Sequence, residues 1–152
     1  MATFRLAPLV KFAEERSEAA AQELQRHRIQ LNQAEEKLKQ LQGFLADYQA
    51  RLGHTAGQGV TVQTLIDFQQ FIGKLEIAIR SQSEEVVRCR QRWENAQEIW
   101  MERERELKAY LALRDRHDRE EIRKDNRRDQ RLQDEFAQNA LRRRAAEENS
   151  QD

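Results

Sequence analysis

The residues of this chain that could donate, accept or ligate in a reaction are three histidines, one cysteine and a few paired carboxylates. His27, His54 and His117 lie far apart, and none stands at an interval from Cys89 that would hold a metal. Cys89 falls on an apolar helical seam, where a thiol packs as a small hydrophobe rather than acting as a nucleophile. The pairs Glu35–Glu36 and Glu84–Glu85 read as exposed helix positions, with no pocket to raise a carboxylate's pKa. No glycine-rich segment is followed by Lys-Ser or Lys-Thr, so no phosphate cradle is expected. Basic clusters occur at Arg142-Arg143-Arg144 and around Arg123-Lys124 and Arg127-Arg128. Asp125, Asp129, Asp134 and Glu135 are interspersed with them, which argues against a nucleic-acid partner. The expectation is a protein with no catalytic residues, no metal and no cofactor.

The elements that would carry these residues are helices. Ala, Glu, Lys, Leu and Arg supply more than half of the 152 residues, against one proline and five glycines. That is the composition of a long helix or coiled coil. Charged residues make up 36% and mean hydropathy is -1.00, too little apolar surface to close an enzyme's pocket on all sides. The 27 basic and 27 acidic residues cancel, so no net field draws the whole chain to a polyanion. One cysteine excludes an internal disulfide framework and fits a reducing cytoplasm. Met1 to Phe12 is too poor in apolar residues for a secretory segment, and no run approaches the length of a membrane span.

Leu24, Leu31, Leu38, Leu45 and Leu52 recur every seven residues, extended backwards by Ser17 and Val10. Leu6, Ala13, Ala20, His27, Ala34, Leu41 and Tyr48 form the companion series, and the alternating steps of three and four predict a left-handed coiled coil. After the glycines of Gly53 to Gly59 the pattern resumes with Leu65, Phe68, Ile72, Leu75, Ile79, Gln82, Val86, Cys89, Trp93, Ala96, Trp100, Arg103, Leu107 and Tyr110. The fold expected is all-α: one coiled-coil domain over 1–152, folded as a long antiparallel two-helix hairpin with a C-terminal helical extension. Its parts are helix 1 at about 8–52, a loop at 53–60, helix 2 at about 61–140 and a flexible tail at 141–152. Pro8 suits a first helical turn, and Thr61 or Thr64 can cap helix 2. A fold about Gly57 would set Trp93 and Trp100 against the small residues Ala13, Ser17, Ala20 and Ala21, and would end the cover of helix 2 near residue 106.

One feature exceeds what a two-helix seam needs. Phe44 and Phe71 sit beside the seam near the loop, where Leu41, Tyr48, Leu75 and Ala78 widen the apolar stripe. An exposed aromatic patch on a small helical protein marks a partner, unless the rings fold over the seam to thicken it.

Several stretches, in order, resemble the flagellar export protein FliJ family. They are Ala34-Glu35-Glu36-Lys37-Leu38-Lys39, Gly59-Val60-Thr61, Phe68-Gln69-Gln70-Phe71-Ile72 with Leu75-Glu76 and Ala78-Ile79, then Asp129-Gln130 and Asp134-Glu135-Phe136-Ala137-Gln138. The resemblance implies an antiparallel coiled coil similar to the central shaft of rotary ATPases. It also implies partnership with the hexameric export ATPase FliI, with the export gate protein FlhA and with export chaperones, at the cytoplasmic face of the inner membrane and peripheral to it. Carried over by residue, gate binding falls on Lys37, Leu41, Phe44, Tyr48, Phe71, Leu75, Ala78 and Gln82. By shaft analogy, ATPase binding falls on Leu6, Leu9, Phe12, Leu132, Phe136 and Leu141. The rivals are a purely structural coiled coil that self-associates and the analogous stalk of a virulence secretion system.

Overall fold

The structure, a computed structural model, describes residues 2–151. Two helices carry almost all of them: α1, Ala7–Gly57, and α2, Val62–Ser150. Pro8 stands in the first turn of α1, where a missing N–H costs no helical hydrogen bond. The connection is Gln58–Thr61, in which Gly59 alone takes a positive φ, 76°. Thr61 caps α2, its Oγ1 accepting from the Thr64 N–H at 3.3 Å. The fold is an all-α antiparallel hairpin.

Both helices outrun the expected limits. Gly53 and Gly57 are helical rather than looped, since glycine inside a helix costs only about 1 kcal/mol and the reversal needs one left-handed residue. The predicted tail at 141–152 is helical as far as Ser150, because no glycine or proline follows Gly73 and helix-favouring residues dominate.

The chain divides into two compact units. In Arg16–Glu104 the seam holds Ser17, Ala20, Leu31 and Ala34 of α1 against Leu75, Gln82, Val86, Cys89 and Ala96 of α2, all buried. Leu31, Ala34, Val86 and Cys89 form one cluster, on which Leu38 and Trp93 pack. Two polar contacts set the register: the Gln82 amide donates to the Ala34 carbonyl at 2.9 Å, and the Ser17 hydroxyl to the Glu104 carboxylate. Trp93 does not reach Ala20 and Ala21 as expected. It lies beneath the Arg28 guanidinium, 5.1 Å from the ring centre. The reversal centres on Gln58–Thr61 rather than on Gly57, which slides the pairings along α2, by two residues at Ala34–Gln82 and by seven at Ser17–Glu104.

Cys89 is 6% exposed, and burial pushes its thiol up, helped by the Sγ–H donated to Glu85 Oε1 at 3.5 Å. Its reaction with Ellman's reagent at neutral pH is expected to be on the order of 100-fold slower than in denaturant. A native rate equal to the denatured one would mean the seam is open at that point.

The other unit is the described part of Met1–Glu15 with Arg105–Asp152. Here Val10 and Ala13 are buried, the Phe4 ring lies 5.3 Å from that of His117, and the Ala2 N–H donates to Glu121 Oε2 at 3.4 Å. The cover of α2 therefore reaches Glu121 rather than stopping near 106, because Ala2 and Phe4, ahead of α1, also pack on it. The Ala2 N–H holds the Glu121 carboxyl below its ordinary value, with Lys124 and His117 adding positive charge. A depressed carboxylate contributes fully at neutral pH and loses that contribution as pH falls through its folded-state value. Protection of the amides at residues 2–6, measured against the intrinsic exchange rate at each pH, should accordingly fall on acidification, and Glu121→Gln should remove that dependence. An unchanged dependence in the variant would assign it to another group.

Candidate partner-binding surfaces

At the loop end of the unit Arg16–Glu104, the seven-residue repeat places Phe44 and Phe71 just outside the buried seam rather than in it. Phe44 is 53% exposed and Phe71 41%. The Tyr48 ring is half-buried and lies 4.4 Å from Phe71 and 6.3 Å from Phe68. Arg51 covers its other side at 5.4 Å. Phe44, Asp47, Tyr48, Arg51, Phe71 and Leu75 line a shallow open groove. Its aromatic walls have a charged rim of Asp47 and Arg51, the arrangement of an interface anchor, in which rings supply area and polar residues fix orientation.

The structure separates the eight expected gate-binding residues by exposure. Phe44, Tyr48, Phe71 and Leu75 converge on the groove, with Leu75 as its buried floor. Leu41 and Ala78 are half-buried on the two helices. Lys37 is exposed and borders a separate polar groove with Gln33, Glu85 and Arg92. Gln82 is 8% exposed and its amide is committed to Ala34, so it belongs to the seam and its side chain is not presented to a partner. Asp47 and Arg51 escaped the sequence reading. Their signal was spacing, since they stand three and seven residues beyond Phe44 and fall on the same helical face.

The six residues expected at the ATPase lie in the unit formed by the two ends of the chain. Leu6 is half-buried; Leu9, Phe12, Leu132, Phe136 and Leu141 are exposed. Leu132 and Phe136, four residues apart, share a ridge of α2. Leu141 stands five residues past Phe136, where the helical turn carries it to the opposite side, so the three do not form one face.

The polar groups are arranged for structure. His27 approaches Glu23 at 3.6 Å and is mostly buried beside the small residues Ala20 and Ala96. His54 meets Gln58 at 3.2 Å in the last turn of α1. Arg88 forks onto Glu85 at 2.7 and 3.0 Å and holds that carboxyl below its ordinary value. Among the described residues, no group of three or more His, Cys, Asp or Glu side chains could hold a metal ion, and no helix is long and apolar enough to cross a membrane.

Comparison with known proteins agrees with the two-helix fold. A solved structure described as a YscO homologue from Chlamydia trachomatis superposes with a TM-score of 0.56 at 18% identity, covering 91% of this chain and 94% of that one. At that identity the likeness shows the fold. The Flagellar FliJ protein of Escherichia coli (strain K12) is 35% identical over 139 residues, and that of Salmonella typhi 34%; each alignment spans 91% of this chain and 95% of the relative. The family profile described as Flagellar FliJ protein matches residues 1–146. With nearly the whole of an uninterrupted two-helix chain matched, the protein belongs to the flagellar FliJ family.

Proposed function

We propose that this chain is a stalk and adaptor of flagellar type III protein export, binding the hexameric export ATPase FliI and coupling it to the export gate protein FlhA. It works in the cytoplasm, peripheral to the inner membrane, and catalyses nothing itself. The observation that carries the reading is the aromatic groove of Phe44, Tyr48 and Phe71, open to solvent at the loop end beside the seam, with both phenylalanines exposed. A monomer gains nothing from leaving two phenylalanines half exposed in one place, whereas a docking partner would bury them. Membership of the family supports the export role.

Mechanically, one asymmetric hairpin set in a six-fold ring touches its subunits unequally. It can therefore favour ring assembly and bias the nucleotide states of individual subunits, a coupling free energy between separate sites. The exposed apolar residues Leu9, Phe12, Leu132 and Phe136 are the contacts proposed for the ring, and the aromatic groove the contact for the gate. The reading is tested by adding the purified chain to purified export ATPase. Faster hydrolysis together with ring formation is the expected result. An ATPase that stays unassembled at its basal rate over a titration of the chain overturns it.

A further inference from the structure

The acids and bases that alternate along 114–131 separate in part once the segment is helical: four acids gather on one side, while Glu120 stays among the arginines of the other. Arg116, Arg119, Arg123, Arg127 and Arg131 recur at three and four residues and so form one ridge, about 22 Å long at 1.5 Å per residue. All five are exposed. Shallow grooves beside the ridge are lined by Asp115, Arg116, Arg119, Glu120 and Arg123 and, one turn further, by Glu120, Arg123, Lys124 and Arg127, so the bases outnumber the acids in both. Among the described residues only Arg119 of the five has an ion pair, with Asp115 at 3.1 Å. Asp118, Glu121, Asp125 and Asp129 follow the same spacing on the opposite side of α2, the side on which Glu121 receives the Ala2 N–H.

We infer that this arginine ridge is a docking surface for an anionic lipid bilayer. The ridge is distinguished by what it lacks as much as by its charge. Ordinary protein interfaces have an apolar core, and between Arg116 and Arg131 this face offers no large apolar side chain. A nucleic-acid groove surrounds an inserted helix with phosphates, which would bring Asp118, Asp125 and Asp129 against one wall. A planar anionic surface meets one side of a helix only. Its mobile headgroups can match guanidinium spacing, and guanidinium forks pair well with phosphate oxygens. The absence of apolar residues predicts adsorption at the headgroups without insertion. This goes beyond the gate contact proposed above: the bilayer itself is touched, by different residues.

The test is co-sedimentation of the full chain with vesicles of phosphatidylcholine alone or mixed with phosphatidylglycerol. Binding is expected to the mixed vesicles only, and to fall steeply as salt rises. Arg116→Gln with Arg123→Gln and Arg127→Gln should weaken it about 100-fold, from roughly fivefold for each arginine near such a surface, with helicity kept because glutamine is as good a helix former. Equal binding to neutral vesicles, or a triple variant that binds as well as the parent, overturns the proposal. So does a duplex DNA that captures the chain more tightly than the mixed vesicles at the same salt, since the polyanion would then be nucleic acid. A double variant of Phe44 and Phe71 should leave vesicle binding unchanged, which separates this surface from the gate reading.

Discussion

Replacing Leu31 by alanine is expected to lower the unfolding free energy by about 2–5 kcal/mol, one of the largest losses any single truncation in this chain can cause. Leu31 is 2% exposed, the least accessible large side chain of the seam, and sits among Ala34, Val86 and Cys89 with Leu38 and Trp93 packed on the outside. Its neighbours are mostly small, so few atoms can move in to fill the space it would leave. In a seam only two helices thick, such a cavity either stays empty or admits water to an apolar lining, and both outcomes cost free energy. Ile77→Ala is the control. Ile77 is 61% exposed, and its truncation should shift stability by no more than about 0.5 kcal/mol. Urea titrations followed by far-ultraviolet circular dichroism compare the two. Matching midpoints would show that the helices do not depend on the Leu31 cluster.

That contrast also shows why the helices were legible and their register was not. Burial in a two-helix seam follows the alternation of three and four residues, and the ladder from Val10 through Ala13, Ser17, Ala20, Leu31 and Ala34 is buried in the structure. Register is set by where the chain reverses. Three glycines within seven residues suggested a reversal about Gly57, but Gly53 and Gly57 stay helical and the left-handed residue is Gly59. Nothing in the repeat distinguishes these choices, because sliding an antiparallel pair by about one heptad puts apolar residues opposite apolar residues again. What distinguishes them is polar and specific: Gln82 on the Ala34 carbonyl, Ser17 on Glu104.

The candidate surfaces were legible to different depths for a related reason. Aromatic rings beside a seam are conspicuous in a sequence whose seam is otherwise aliphatic, so Phe44 and Phe71 stood out, and the structure leaves both exposed. Gln82 was both a seam position by periodicity and a gate residue by resemblance; the structure favours the periodicity. The charges misled most. Read along the chain, Asp125 and Asp129 dilute the arginines, whereas read around the helix they fall behind them. Linear spacing hides a partial segregation that one turn per 3.6 residues makes plain, with Glu120 left among the arginines.

Phe44→Ala combined with Phe71→Ala is expected to abolish binding to the export gate, by at least about 100-fold, while leaving helicity nearly unchanged. The two halves of that result come from different energies. For folding, both rings are already about half in water, so truncation removes little buried area. The principal internal loss is the Phe71–Tyr48 ring contact at 4.4 Å, worth about 0.5–1.5 kcal/mol. For binding, the same rings would pass from water into a partner, where aromatic anchors at the centre of an interface cost about 2 kcal/mol or more each when removed. Leu75 beneath the groove is buried and would confound the test, as would Tyr48, which packs on both Phe68 and Phe71. The double variant avoids both. A large fall in helicity would show that the rings belong to the core and that the groove is only the edge of a thin seam. Undiminished gate binding by a folded variant would move the docking face elsewhere on the hairpin.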